Sequence, residues 1–178
     1  MTCLEGKNIL MIVANDNFRD EELFEPKKIF EGHGAKVKLT GNSVGTAHGM
    51  RGGTAQIEST LAKEVAEPYD AVIFIGGKGS TVYYDNLEAH RIAKEAEKRG
   101  KVLGAICMAP GTLAKAGLLR GRRATSFMTT GKLLRENGAN FTGRLVEVDG
   151  NLITGSGPEA AQEFANAVTD MLKSAGRV

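Results

Sequence analysis

Residues 102–111 read VLGAICMAPG, and this stretch decides the fold. Its first five residues form a short apolar run, which is typical of a strand buried on both faces of a parallel sheet. A helix is predicted to begin at Pro110, because proline favours the first turn of a helix, and Gly117 ends it. Only three residues separate this strand from the helix, and Cys107 lies in the tight turn between them.

Segments on both sides of this turn alternate in the same way. Strands are predicted at 7–14, 35–40, 71–75, 102–106 and 124–127, with one or two short strands within 47–57; helices at 21–30, 61–66, 87–99, 110–116, 131–136 and 159–173; and a hairpin at 145–148 and 152–154. This repeated alternation predicts an α/β fold with a doubly wound, mostly parallel sheet flanked by helices. We expect the hairpin to lie at one edge of that sheet.

The composition narrows the class of protein. The chain has 178 residues, and no linker or repeat divides it, so we expect a single domain over 1–178. Its 23 basic and 21 acidic residues are scattered, whereas a nucleic-acid-binding protein clusters its positive charge. No apolar run approaches the roughly 18 residues of a membrane span, and the amino terminus lacks the pattern of a secretion signal. We therefore expect a cytoplasmic protein that binds neither nucleic acid nor membrane.

The predicted topology also places a ligand site. In doubly wound folds, ligands bind beyond the carboxyl ends of the strands, where the strand order reverses. This rule brings together the loop after Ala14, the loop after Ile75 and the turn that holds Cys107. A thiol beside a helix amino terminus is expected to have a lowered pKa and to react as a thiolate. The alternative interpretation is an inert cysteine that packs as a small apolar residue.

Three further residues are candidates for the site of this cysteine. Glu22 follows the first strand, and Leu23 and Pro26 beside it indicate a segment that turns inward. A carboxylate next to a thiolate repels it unless the pair shares one proton, so we expect Glu22 to be protonated. The N–H groups of Gly77 and Met108 are expected to bind an oxyanion together. The alternative interpretations are pairing with the helix dipole for Glu22 and an ordinary glycine turn for Gly77.

Neither a metal nor a cofactor is expected. His33, His48 and His90 are predicted to lie at the surface and lack the spacing of paired metal ligands, and the two cysteines are far apart in the chain. The run Gly76-Gly77-Lys78-Gly79 matches neither the dinucleotide-binding nor the P-loop spacing.

The sequence resembles the family that contains the PfpI-type intracellular proteases and the parkinsonism-associated deglycase. The matching residues are Glu22-Leu23 with Pro26, Tyr69-Asp70-Ala71-Val72 leading to Gly76-Gly77, Ala105-Ile106-Cys107 with Ala109-Pro110-Gly111, Gly117-Leu118-Leu119-Arg120-Gly121, residues 146–150, Thr154 and Gly157-Pro158. The resemblance spans essentially the whole chain. It implies a flavodoxin-like fold with a cysteine nucleophile elbow, a reactive Cys107 with Glu22 as its protonated partner, an oxyanion site at Gly77 and Met108, and a homodimer or larger assembly.

Two departures from that pattern rank the possible functions. Met108 stands where PfpI-type peptidases carry a histidine, and Phe127 stands where the deglycase branch often carries one. A cysteine peptidase without an imidazole lacks its base, so peptidase activity is the least favoured function. Because residues 157–165 are closer to the deglycase and chaperone-like branch, we expect a cofactor-free stress-response protein of glyoxalase or deglycase type that acts on small reactive carbonyls. The alternative is a non-enzymatic oxidative-stress sensor or chaperone in which Cys107 is oxidised.

Overall fold

The structure, a computed structural model, describes residues 2–175. The strands of this part of the chain are β1 Asn8–Ile12, β2 Asp16–Phe18, β3 Lys36–Gly41, β4 Gly45–Gly49, β5 Thr54–Ile57, β6 Ser59–Thr60, β7 Ala71–Phe74, β8 Val102–Ile106, β9 Arg123–Ala124, β10 Asn140–Phe141, β11 Val146–Asp149 and β12 Leu152–Gly155. Its α-helices are α1 Asp20–Gly32, α2 Leu87–Lys98, α3 Pro110–Lys115, α4 Gly131–Glu136 and α5 Ala161–Ala175.

Seven of the strands form a central sheet in the order β11-β12-β8-β7-β1-β3-β6. Its neighbouring strands run parallel, except that β11 and β12 form an antiparallel hairpin at one edge. From β1 the chain passes to β3 and β6 on one side, and then returns to β7 on the other side of β1. The predicted doubly wound, mostly parallel sheet is therefore confirmed, and its strand order reverses between β1 and β7.

Helices cover both faces of the sheet, and each face has its own apolar core. Ile9 and Met11 of β1 point to the face covered by α1 and α5, whereas Leu10 and Ile12 point to the face covered by α2 and α3. These four residues are all buried, because a parallel sheet covered on both faces leaves no side chain of a central strand in solvent. No helix within residues 2–175 combines the length and apolar character needed to cross a membrane.

The helix predicted at 61–66 is reduced to one 3₁₀ turn, Leu61–Lys63. The backbone is already extended at Glu64, whose carboxylate accepts a hydrogen bond of 2.7 Å from the hydroxyl of Tyr69 and pairs with Lys38 at 2.9 Å. These side-chain contacts hold the segment flat against the edge of the sheet and outweigh its helical pattern.

The strand predicted at 124–127 ends at Ala124. The next N–H group, that of Thr125, donates to the hydroxyl oxygen of Thr154 at 2.9 Å instead of to a backbone carbonyl. The chain then turns towards the carboxyl end of β8, which brings Phe127 against the site described below.

Candidate functional site

The predicted site residues meet at the carboxyl ends of β1, β7 and β8, which are adjacent in the sheet. Because the strand order reverses between β1 and β7, the connections from these two strands leave to opposite sides of the sheet, and this is the place where doubly wound folds bind their ligands. Glu22, Gly77, Cys107 and Met108 come together there, although they belong to three separate segments of the sequence.

Cys107 forms a sharp turn between β8 and α3. Its φ is 64°, in the left-handed region that costs a non-glycine residue on the order of 1–2 kcal/mol. Two backbone hydrogen bonds hold this conformation: the N–H of Cys107 donates to the Gly155 carbonyl at 2.8 Å, and its carbonyl accepts from the N–H of Phe127 at 2.7 Å. Cys107 is 5% exposed, so the side chain lies just below the surface.

Glu22 lies in the first turn of α1 and is fully buried. It shares its face of the helix with buried Leu23 and Pro26, as the sequence predicted. A Cβ atom added to Gly76 would collide with Oε1 of Glu22 and would lie 2.7 Å from Cβ of Cys107. The carboxyl group and the thiol-bearing side chain therefore occupy the two sides of the small space that this glycine leaves. Within residues 2–175, neither carboxyl oxygen of Glu22 has a hydrogen-bond partner of standard geometry.

Both the backbone conformation and the space around position 77 require a glycine. Its φ is 107°, and an added Cβ would lie 2.5 Å from the backbone nitrogen of Arg19 and 2.6 Å from the Asn17 carbonyl oxygen. The chain can therefore approach the first loop only through a glycine at this position. The N–H groups of Gly77 and Met108 lie near enough to the sulfur of Cys107 to act on its pKa, which they lower. The structure thus gathers the two predicted donors around the sulfur atom.

Burial dominates the acid–base properties of the pair. It raises the pKa of Glu22 to about 8, against the smaller lowering effects of the neighbouring Cys107 thiol, the Arg19 charge and the Gly76 N–H. Burial and then the Glu22 carboxyl also raise the pKa of Cys107, and the two N–H groups offset this only in part. The expected protonation of Glu22 at neutral pH agrees with this direction.

The expected lowering of the Cys107 pKa is wrong for the free protein. The reason is that α3 has only six residues and offers a weak dipole, whereas the thiol lies beside an acidic side chain in a site that excludes most water. Two acids in contact in such a site both hold their protons more tightly than they do in water.

Comparison with known proteins agrees with this architecture. The sequence model of the DJ-1/PfpI family matches residues 7–171. The chain belongs to the DJ-1/PfpI family. An uncharacterised protein of Methanocaldococcus jannaschii is 37% identical over 90% of this chain and 80% of its own length, and a protein named deglycase from Pyrococcus horikoshii is 29% identical over 93% and 99%. The crystal structure of a ThiJ/PfpI domain protein from Brachyspira murdochii superposes with a TM-score of 0.92 at 36% identity, covering 95% of this chain and 99% of that one.

Membership of the DJ-1/PfpI family confirms the resemblance drawn from the sequence, and the structural match confirms the flavodoxin-like fold. The sequence did not indicate which residues outside the quoted motifs would reach the site. Arg19 and Tyr84 are two such residues.

Arg19 immediately precedes α1, and its backbone N–H donates to the Gly76 carbonyl at 2.9 Å, which fixes the first turn of the helix against the glycine loop. Its guanidinium group binds Glu21, with Nε 2.7 Å from Oε2, and this hydrogen bond is the main reason that the pKa of Arg19 is raised. The only sequence signal for Arg19 was its position next to the acidic start of the helix.

Tyr84 reaches the site from the segment that follows the Gly76-Gly77 loop. Its hydroxyl donates to the Met108 carbonyl at 2.8 Å. Burial is the main cause that raises its pKa, and the Cys107 sulfur adds to the increase. No pattern in the sequence indicates this role, because Tyr83 and Tyr84 are adjacent and only the fold decides which of them faces the turn.

None of the three histidines of this chain places its imidazole beside the sulfur of Cys107. His33 contacts Cys3, with Nδ1 3.2 Å from Sγ, and His90 Nε2 lies 2.7 Å from the Tyr84 carbonyl. His48 is exposed on β4. Within residues 2–175, no group of three or more His, Cys, Asp or Glu side chains is placed to hold a metal ion.

Proposed function

We propose that the protein is a cofactor-free, cysteine-dependent enzyme of glyoxalase or deglycase type that acts on small reactive carbonyls. The observation that carries this proposal is the buried pair of Glu22 and Cys107. A fully buried carboxyl group, whose oxygens make no hydrogen bond of standard geometry within residues 2–175, lies beside a thiol on a strained turn. The name of the deglycase from Pyrococcus horikoshii supports the same class of activity.

The first step uses both oxygens of the carboxyl group. With a pKa of about 8, Glu22 is mostly protonated at neutral pH. When the sulfur of Cys107 bonds to the aldehyde carbon of methylglyoxal, one Glu22 oxygen accepts the thiol proton and the other donates its own proton to the carbonyl oxygen. The product is a hemithioacetal, and Glu22 is again protonated. A side chain whose oxygens were already bound to other groups would be less able to exchange protons in this way.

The second step moves hydrogen within the bound molecule. Glu22 accepts the proton of the former aldehyde carbon and gives its own proton to the neighbouring keto oxygen, which forms an enediol. It then donates a proton to the carbon of the former keto group and accepts the proton of the hydroxyl on the former aldehyde carbon, which leaves a lactate thioester of Cys107 and a protonated Glu22. Water then cleaves the thioester, so methylglyoxal and water give lactic acid with no external oxidant. The N–H groups of Gly77 and Met108, which face the sulfur in the free protein, stabilise the negative charge on the adjacent oxygen.

The test measures lactate formed from methylglyoxal by the wild type, Cys107→Ser and Cys3→Ser. We expect Cys107→Ser to lose at least ~100-fold of the activity, because a serine hydroxyl is a far weaker nucleophile than a cysteine thiol. Cys3→Ser is the matched control and retains wild-type activity. Equal rates for the wild type and Cys107→Ser would contradict the proposal.

A second candidate function, oxidative-stress sensing, is favoured by the set of hydrogen-bond donors around the sulfur. Protonated Glu22 and the N–H groups of Gly77 and Met108 are suited to stabilise a sulfinate, the product of adding two oxygens to a thiolate. Under mild peroxide, this function predicts a gain of two oxygens on the Cys107 peptide and little change on the Cys3 peptide, without turnover of carbonyls. Equal oxidation of both peptides would contradict it.

A further inference from the structure

The strained turn at Cys107 is held from three directions. Its N–H is bound by Gly155 of β12, its carbonyl by the N–H of Phe127, and the next carbonyl, that of Met108, by the hydroxyl of Tyr84 at 2.8 Å. The first two bonds are made by the backbone, so almost any sequence would make them. The Met108 carbonyl also accepts a weaker hydrogen bond from the N–H of Gly111 at 3.1 Å, and Tyr84 adds the one contact of the turn that depends on a side chain.

These bonds determine where the N–H of Met108 points. In a trans peptide, the N–H of Met108 points away from the carbonyl of Cys107, which is fixed by Phe127. Tyr84 fixes the carbonyl on the other side of Met108. With both flanking peptide groups held, the N–H of Met108 is kept near the sulfur of Cys107, whose pKa it lowers.

Neighbouring residues restrain both the ring and the main chain of Tyr84. A Cβ atom added to Gly111 would lie 2.5 Å from Cζ of Tyr84, so the ring rests directly on the backbone of α3. The carbonyl of Tyr84 accepts a hydrogen bond from Nε2 of His90 at 2.7 Å, which anchors the residue to α2. The ring and the main chain of Tyr84 are thus both restrained.

We propose that Tyr84 is a positioning residue that holds the Cys107 turn in its reactive geometry through its hydrogen bond to the Met108 carbonyl. Without that bond, conformations that relieve the positive φ of Cys107 become populated, and in them the sulfur turns away from the N–H groups of Gly77 and Met108. This inference rests on the proposed function only in treating Cys107 as the reacting group.

The test compares Tyr84→Phe with Tyr83→Phe. The control is matched, because the hydroxyl of Tyr83 donates to the Val13 carbonyl at 2.7 Å, so each variant loses one phenol-to-carbonyl hydrogen bond from the same segment. The readout is the rate of alkylation of Cys107 by iodoacetamide between pH 6 and pH 10, measured by peptide mass spectrometry, with Cys3 as a reference within each sample.

We expect Tyr84→Phe to slow alkylation of Cys107 by about threefold to tenfold, the range that corresponds to one net hydrogen bond. We also expect the pH dependence of the alkylation rate to shift to higher pH. Tyr83→Phe is expected to leave the profile unchanged even if it lowers the melting temperature. An unchanged or faster rate in Tyr84→Phe, or an equal slowing in Tyr83→Phe, would overturn the inference.

A second variant, Gly111→Ala, reaches the same interaction from the other side, because its methyl group displaces the Tyr84 ring. It is expected to slow Cys107 alkylation as well, and wild-type alkylation in Gly111→Ala would also overturn the inference. Lactate formation is measured on the same samples. If the wild type makes no lactate but Tyr84→Phe still alters alkylation, the proposed carbonyl chemistry fails while the positioning role of Tyr84 stands.

Discussion

The difference in free energy of unfolding between Glu22→Gln and the wild type is expected to shift in favour of the variant as the pH rises. The variant keeps the size of the buried side chain and removes its ionisable proton. The pKa of Glu22 is raised to about 8 from its ordinary value of 4.5. Between these two values the folded wild type binds a proton that the unfolded chain releases, so its stability falls as the pH rises.

The size of the effect follows from the two pKa values. The stabilising contribution of protonated Glu22 is fully present below pH 4.5 and is lost progressively up to pH 8. Between pH 5 and pH 8, the free energy of unfolding of Glu22→Gln should rise relative to that of the wild type by roughly 3–4 kcal/mol. Any constant cost of burying an amide is the same at each pH and does not affect this slope.

The measurement is urea unfolding of both proteins at pH 5, 6, 7 and 8. The chain contains no tryptophan, so unfolding is followed by far-ultraviolet circular dichroism. Glu21→Gln is the matched control in the same helical turn. Burial alone would raise the pKa of Glu21, but Arg19 and Arg51 lower it overall, so its stabilising contribution is lost as the pH falls and the control cannot reproduce the slope. A difference between Glu22→Gln and the wild type that stays constant from pH 5 to pH 8 would refute the reasoning.

Three further comparisons of variants test the geometry and chemistry of the site. Gly76→Ala forces a methyl group between Glu22 and Cys107 and should lower the free energy of unfolding by about 3 kcal/mol. Gly32→Ala is the control, because a Cβ atom at Gly32 has no neighbouring atom within 4 Å, and it should change the free energy of unfolding little. Urea unfolding measures both changes. Cys107→Gly should be about 1 kcal/mol more stable than Cys107→Ala in the same assay, because glycine adopts a φ of 64° without strain. Glu22→Gln should lower the pKa of Cys107, measured by alkylation, and yet abolish lactate formation, because glutamine removes a like charge but cannot transfer the proton.

The fold was predictable because its strongest signals are local. The apolar runs of β1, β7 and β8 are short and buried on both faces, and they predict parallel strands without any knowledge of their order. The weakly patterned segments were less predictable. The predicted helix at 61–66 is wrong because the contacts of buried Glu64 with Lys38 and Tyr69 set the backbone there, and such contacts leave no periodic trace in the sequence.

The site was predictable where it is made by main chain and by motif. The tight turn at Cys107 and the glycine loop place their N–H groups by backbone geometry, which short spacings reveal. The protonation state of the thiol was not predictable, because it depends on how much water reaches the sulfur and on the distance to Glu22. Tyr84 was missed for a similar reason: its role depends on the direction of one ring. The predicted cytoplasmic location and the homodimer or larger assembly remain predictions.

The two acidic groups of the site come from segments that are far apart in the sequence. Glu22 belongs to α1, which follows β1, whereas Cys107 follows β8, which pairs with β7 and β12 and not with β1. A nascent chain that has not yet assembled these strands carries an ordinary carboxylate and an ordinary thiol, each fully hydrated. The unusual protonation of the pair therefore requires β1, β7 and β8 to be assembled side by side, and it offers a chemical signature by which fully folded molecules can be told from partly folded ones.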